Sequence, residues 1–93
     1  MRAVYYVYVL FSEYDKRLYI GYTDDVKRRF QEHQSGEVQS TQYRRPLKLI
    51  YFEGYCEQED ALGREKFLKS GSGHRYLKKQ LKVFFEKVST AGP

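Results

Sequence analysis

Residues 4–11 of this 93-residue chain read Val-Tyr-Tyr-Val-Tyr-Val-Leu-Phe, and no other stretch restricts the fold as strongly. A β-branched and aromatic run of this kind favours a strand, which sends alternate side chains to opposite faces. Tyr6, Tyr8 and Leu10 then share one face, and Tyr5, Val7, Val9 and Phe11 the other. Both sets are bulky, so the strand, predicted over Val4 to Ser12, belongs in the middle of a sheet covered on both sides. The polar turn Glu13-Tyr14-Asp15-Lys16 leads into a second strand, Arg17 to Tyr22. Leu18, Ile20 and Tyr22 occupy one of its faces, Tyr19 and Gly21 the other. Directly opposed residues of an antiparallel hairpin share a face. An even-numbered turn therefore puts Tyr8 and Tyr19 on the same side, with space expected beside Tyr19 where Gly21 lacks a side chain.

Thr23, Asp24 and Asp25 carry helix N-cap chemistry, and a helix is predicted from there to Gln34, ending at Ser35-Gly36. Its apolar stripe, Val26 and Phe30, continues at helical spacing through Arg29 and His33, while Lys27 and Arg28 point to solvent. A polar loop over 36–46 precedes a third strand from Leu47 to Gly54. A helix from Glu57 to Ser70 would bury Ala61, Leu62 and Leu68, with Glu65 in the same stripe. Gly63 weakens that helix by about 1 kcal/mol relative to alanine, and close backbone packing is the expected compensation. Gly71-Ser72-Gly73 should break the chain before a last helix, His74 to Val88, that buries Leu77, Leu81, Phe84, Phe85 and Val88. A single domain over residues 1–88 with a flexible tail, 89–93, is expected.

Charge narrows the partner. The chain carries +5 with a pI of about 9.3, and Lys and Arg outnumber Asp and Glu most clearly between Arg64 and Lys87. A polyanion is the natural ligand of such a surface, nucleic acid above all. Cys56 is the only cysteine, which excludes an internal disulfide and a cysteine-rich zinc site, and it is expected as buried filler. No apolar run approaches membrane-spanning length, and Met1 leads directly into a strand, so a cytoplasmic protein is expected.

The inward-facing polar set is then Tyr8, Tyr19, Arg29, His33 and Glu65. Each alone has a structural explanation: a packed tyrosine, an Arg29–Glu65 ion pair, a histidine closing a helix end. Five such groups from three elements are a costly way to fill a small core. A phosphodiester would rationalise them. Arg29 offers an always-charged fork for phosphate. Glu65 can hold a hard cation such as Mg²⁺ or Mn²⁺, which needs only one or two protein carboxylates. A phenol can relay a proton if a cation helps it. The combination points to metal-assisted hydrolysis.

These residues also carry a family resemblance. Tyr6-Val7-Tyr8, Tyr19-Ile20-Gly21, Arg29, His33 and the segment Arg64-Glu65-Lys66-Phe67-Leu68-Lys69 stand in the order and spacing of the GIY-YIG nucleases, and the chain resembles their small stand-alone members over residues 4 to 82. The resemblance implies an α+β fold, a small three-stranded antiparallel β-sheet flanked by α-helices. It implies divalent-metal-dependent cleavage of DNA, with one Mg²⁺ or Mn²⁺. On that likeness Tyr8 is the general base or proton relay, Tyr19 orients the water or phosphate, and Arg29 stabilises the developing phosphorane charge. His33 assists near the nucleophile or leaving group, and Glu65 anchors the metal. Tyr6 replaces the first glycine of the signature. Many family nucleases place an asparagine about a dozen residues beyond the metal-binding Glu; Leu77 stands there, and the sequence has no Asn.

Lys27, Arg28, Arg44, Arg45, Lys69 and Arg75, with Lys78 and Lys79, are the expected nucleic-acid contacts. Nothing resembles a base-reading element, so recognition of backbone or branched and nicked structure is expected over sequence, with targeting by charge or by a partner protein. Two functions follow: a structure-selective or weakly selective DNA endonuclease in repair, recombination or processing, and a non-catalytic nucleic-acid-binding module on a nuclease-like frame.

Overall fold

The centre of the protein is the strand that the aromatic run predicts. In a computed structural model that describes residues 3–90, β1 (Tyr5–Ser12) is paired on both edges, by β2 (Leu18–Thr23) and β3 (Leu47–Tyr55). The sheet order is β2-β1-β3 and both pairings are antiparallel. On one face Val7 and Val9 join Ile20, Ala61, Leu68 and Leu77 in a closed apolar cluster. On the other, Tyr8 and Leu10 pack with Leu47, Tyr19 and Phe30. Each fully buried Val or Leu contributes about 1.5–3 kcal/mol, so both faces of β1 hold the layers together. The expected α+β architecture, a three-stranded antiparallel sheet flanked by helices, is the one found.

Helix α1 (Val26–Gln34) starts where the cap chemistry predicts, with Asp25 Oδ1 accepting from the Arg28 amide at 3.0 Å. A 3-10 turn (Gln42–Arg44) interrupts the following loop, and the Arg45–Pro46 peptide is cis. Helix α2 (Gln58–Lys69) carries Glu59 and Asp60 in its first turn and Lys66 and Lys69 in its last, the charge order that a helix dipole favours. Ala61 and Leu68 are buried as expected, but Leu62 is 43% exposed.

The C-terminal segment departs most from expectation. One long helix becomes two, α3 (Gly71–Gln80) and α4 (Lys82–Thr90), separated at Leu81, whose backbone is not helical. Gly71 and Gly73 do not break the chain but lie in the first turn of α3, capped by Ser70 Oγ on the Gly73 amide at 3.1 Å. A Cβ on Gly73 would lie 2.0 Å from the Phe67 carbonyl oxygen and 2.4 Å from Leu68 Cα. The close helix–helix approach expected at Gly63 is therefore at Gly73, while a Cβ on Gly63 would meet nothing within 4 Å. Of the expected C-terminal core residues only Leu77 is fully buried; Leu81, Phe84, Phe85 and Val88 are half-buried. Cys56 is exposed just beyond the end of β3, rather than buried. Of the expected tail, Ser89 and Thr90 are helical, and residues 91–93 lie outside the described residues. No helix among the described residues is long and apolar enough to cross a membrane.

Candidate active site

The hairpin register puts Tyr8 opposite Gly21 and Leu10 opposite Tyr19. Tyr8 and Tyr19 thus share a face, as expected, with ring centroids 6.3 Å apart. The space beside Tyr19 is not open, however. A Cβ on Gly21 would lie 2.3 Å from Cζ and Oη of Tyr8, so the Tyr8 ring itself fills the place that the glycine vacates. The missing side chain lets the phenol lie across β2.

Helix α1 supplies the next two groups. His33 is wholly buried at its last turn, with Nε2 at 2.8 Å from Tyr8 Oη. The other ring nitrogen, Nδ1, lies 2.7 Å from Thr41 Oγ1. Tyr8 and Tyr19 both meet the imidazole edge-on, at 5.6 and 5.1 Å between centroids. Burial, reinforced by the nearby Arg29 charge, pulls His33 down to about 4 from its usual 6.5. It is therefore neutral at physiological pH and carries one N–H; one of its two hydroxyl neighbours receives that proton and the other donates. Thr41 is the member of this chain of bonds that sequence reasoning missed. It lies in a polar loop with no periodicity, and only the tertiary fold brings it to His33.

Burial pushes Tyr8 up to about 12; a hydrogen bond from Arg29 opposes the rise, and the charges of Tyr19 and Glu65 add to it. The phenol is thus protonated at neutral pH, with a guanidinium against its oxygen. Arg29 takes Glu32 as its ion partner, Nη1 to Oε1 at 3.0 Å, and Glu65 pairs with Lys69 at 3.1 Å. The alternative of an Arg29–Glu65 ion pair is not realised; each group pairs on its own helix. Glu65, on α2, contributes the smallest of the charge effects on the Tyr8 phenol.

The donor chemistry fits a hard divalent cation at Glu65. Its side chain is 19% exposed, and the carboxylate is shared with the Lys69 ammonium at 3.1 Å. No cluster of three or more His, Cys, Asp or Glu side chains occurs among the described residues, so a multi-carboxylate cage is not what these residues offer. Leu77, at the position of the family asparagine, is wholly buried in the apolar cluster.

The expected nucleic-acid contacts divide. Lys27, Arg45 and Arg75 are exposed. Arg28 lies between Asp24 at 3.2 Å and Glu32 at 3.6 Å, and Lys69 faces Glu65. Arg44 is engaged elsewhere: Nε donates to Asp15 Oδ2 at 2.6 Å and Nη2 to the Leu18 carbonyl at 3.3 Å. That guanidinium fastens the loop to the hairpin, so its sequence signal, a cation in a polar loop, has a structural use.

Comparison with known proteins agrees with this geometry. The family model described as the GIY-YIG catalytic domain matches residues 4–80. A UPF0213 protein of Haloquadratum walsbyi is 42% identical over 71 residues, covering 75% of this chain and 79% of that protein. One from Limosilactobacillus reuteri is 44% identical over 70 residues, covering 70% of each. The solution structure of the UPF0213 protein BH0048 from Bacillus halodurans matches with a TM-score of 0.51 at 35% identity, over 87% of this chain and 84% of that one. A catalytic-domain match from Val4 to Gln80, on a fold that gathers the signature side chains, means that the chain belongs to the GIY-YIG family, alongside its small UPF0213 members.

Proposed function

We propose that this protein is a divalent-metal-dependent endonuclease that hydrolyses DNA phosphodiesters, selecting branched or nicked structure over sequence, with a role in DNA repair, recombination or processing in the cytoplasm. The observation that carries this reading is the 2.8 Å bond from Tyr8 Oη to the buried, neutral His33, with the Arg29 guanidinium against the same phenol. A phenol held at about 12 is a poor free base, so the arrangement favours the relay role. Tyr8 takes a proton from the attacking water as its own passes to His33 Nε2, and the substrate's negative charge raises the basicity of that imidazole. Thr41 holds the ring in orientation through Nδ1. Arg29 meets the phosphate with the part of its fork that Glu32 leaves open and stabilises charge on the pentacoordinate phosphorus. Tyr19 positions the water or the phosphate. Glu65 would hold one Mg²⁺ or Mn²⁺, which when bound supplies Lewis-acid neutralisation of the phosphate. Lys27, Arg28, Arg45, Lys69 and Arg75 would contact the backbone.

Incubation with nicked, flapped and supercoiled DNA in Mg²⁺ or Mn²⁺ tests the reading. Cleavage should require the metal, disappear in Glu65→Ala, and fall about 10²–10⁴-fold in Tyr8→Phe. Absence of cleavage on every substrate, or activity that survives Glu65→Ala, overturns it. Leu77 is wholly buried at the place where the family resemblance implies an asparagine, which favours a second reading, a non-catalytic nucleic-acid-binding module. That reading expects salt-sensitive binding that Glu65→Ala leaves intact and no Glu65-dependent hydrolysis.

A further inference from the structure

At the end of the sheet that carries the β1–β2 turn, that turn and the 3-10 turn are fastened together. Arg44 Nε and Nη2 donate to the two Asp15 carboxylate oxygens at 2.6 and 3.2 Å, and Ser12 Oγ donates to the Arg44 carbonyl at 2.6 Å. The same Ser12 oxygen accepts from the amides of Tyr14 and Asp15 at 3.2 and 3.0 Å. This clamp presents Tyr14 and Tyr43, each one residue from a clamped partner. They are 71% and 82% exposed, the two most exposed large hydrophobic side chains among the described residues. Both line one open groove of about 640 Å³ with Gln34, Gln42, Arg45 and Pro46.

Single exposed aromatics are ordinary on a protein surface. Two in one groove, on backbone fixed by an ion pair, form a prearranged aromatic surface that pays little ordering entropy when a ligand stacks on it. Arg45 adds a cation held in place, with Nε on the Gln42 carbonyl at 2.9 Å and Nη1 on the Gln34 carbonyl at 3.3 Å. The Gln42 carboxamide can pair with a base edge, as can the amide nitrogen of Gln34, whose oxygen accepts from the Leu47 amide at 3.0 Å. Gln34 follows His33 and Gln42 follows Thr41 in the chain, and those two buried neighbours are bonded at 2.7 Å, so the backbone of the groove wall is tied to the site.

We propose that the groove between Tyr14 and Tyr43 is a stacking site for an unpaired nucleotide of the nucleic acid that occupies the active site. The inference rests on the nuclease reading for its substrate class and deepens it. Bases inside a duplex have their faces covered by neighbours, so an aromatic groove selects a single-stranded tail, flap or gap. Structure selectivity then comes from stacking in this groove and needs no base-reading helix.

Binding without catalysis separates this inference from the nuclease reading. Fluorescence anisotropy with metal-free Glu65→Ala protein compares a blunt duplex with the same duplex carrying a short oligothymidine tail. The protein is expected to bind the tailed probe more tightly. Adding Tyr43→Ala or Tyr14→Ala should weaken tailed binding about fivefold or more and leave blunt-duplex binding within twofold, while Tyr43→Phe, which keeps the ring, retains the preference. Equal binding of the two probes, binding of neither, or a Tyr43→Ala effect that is absent or equal on both overturns the proposal. A tail preference in a protein that cuts no DNA would sustain the groove and remove the nuclease; Glu65-dependent cutting without a tail preference would do the reverse.

Discussion

Replacing Gly21 with alanine probes the geometry on which the site depends. The backbone at Gly21 is not left-handed, so the glycine is there for space. An added Cβ would lie 2.3 Å from Cζ and Oη of Tyr8 and 2.7 Å from Cε1. Non-bonded carbon atoms settle near 3.5–4.0 Å, so the Tyr8 ring must move by about 1 Å. It has little room, being 2% exposed and held by His33 at 2.8 Å. Overpacking of this kind costs about 1–3 kcal/mol, and losing the Tyr8–His33 bond costs about 0.5–1.5 kcal/mol. Alanine recovers about 0.4–1 kcal/mol by restricting the unfolded chain. The net expectation is a loss of about 2 kcal/mol, read as a lower urea midpoint at unchanged m-value. Cleavage should fall on the order of a hundredfold, the usual cost of a 1 Å misplacement. A double-mutant cycle isolates the contact: Tyr8→Leu removes Cζ and Oη, and in that background Gly21→Ala should cost nothing or stabilise slightly. A Gly21→Ala protein as stable as the parent, or an equal cost in both backgrounds, would refute the packing of Tyr8 on Gly21.

Two other glycines should respond with opposite signs. Gly63→Ala, with open space around its Cβ, should raise stability by about 0.5–1 kcal/mol, whereas Gly73→Ala, facing backbone at 2.0 Å, should lose about 2 kcal/mol or more in the same urea melts. Thr41→Val leaves Nδ1 of buried His33 without its 2.7 Å partner and should cost about 1–3 kcal/mol in thermal melts, with Thr41→Ser restoring most of it. Acid stability should decline in stages. His33 is depressed to about 4 from 6.5, so its contribution is complete above about pH 6.5 and falls by up to about 3 kcal/mol as the pH approaches 4. Urea melts from pH 7 to 4 should show that slope, and His33→Gln should flatten it. Asp15, held down to about 2 by the hydrogen bond from Arg44, adds a smaller loss, about 1 kcal/mol at this partly exposed pair, as the pH falls from about 3.8 towards 2; comparing Asp15→Asn with the parent by urea melts over that range should show it.

Local chemistry made the framework readable. Alternation in Val4–Phe11 identifies the central strand, and the same period puts Tyr8 and Tyr19 on one face before any pairing is known. The Asp25 cap and the stripe Val26, Arg29, Phe30, His33 fix α1 and aim His33 inward, since helical phase depends only on residue number. The same reasoning failed where phase does not decide. Leu62 fits the α2 stripe and is exposed, since a stripe of period 3.6 does not say how wide the buried face is. A single apolar period ran through Leu77, Leu81, Phe84 and Val88 across the break at Leu81, since a corner between two helices barely disturbs it.

The sequence by itself determined which strand is central, which helix carries the basic and imidazole groups, and that Tyr8 and His33 turn inward, whereas Tyr19, Arg29 and Glu65 are only partly buried. The determined features follow from periods of two and 3.6 residues and need no partner. Only the tertiary structure decided what those side chains touch. It laid Tyr8 over Gly21, gave His33 the hydroxyl of Thr41, sent Arg29 to Glu32 and turned Arg44 into the clamp behind Tyr14 and Tyr43. Side-chain pairing is set by distances between elements far apart in the chain, and spacing along a sequence carries no record of those distances.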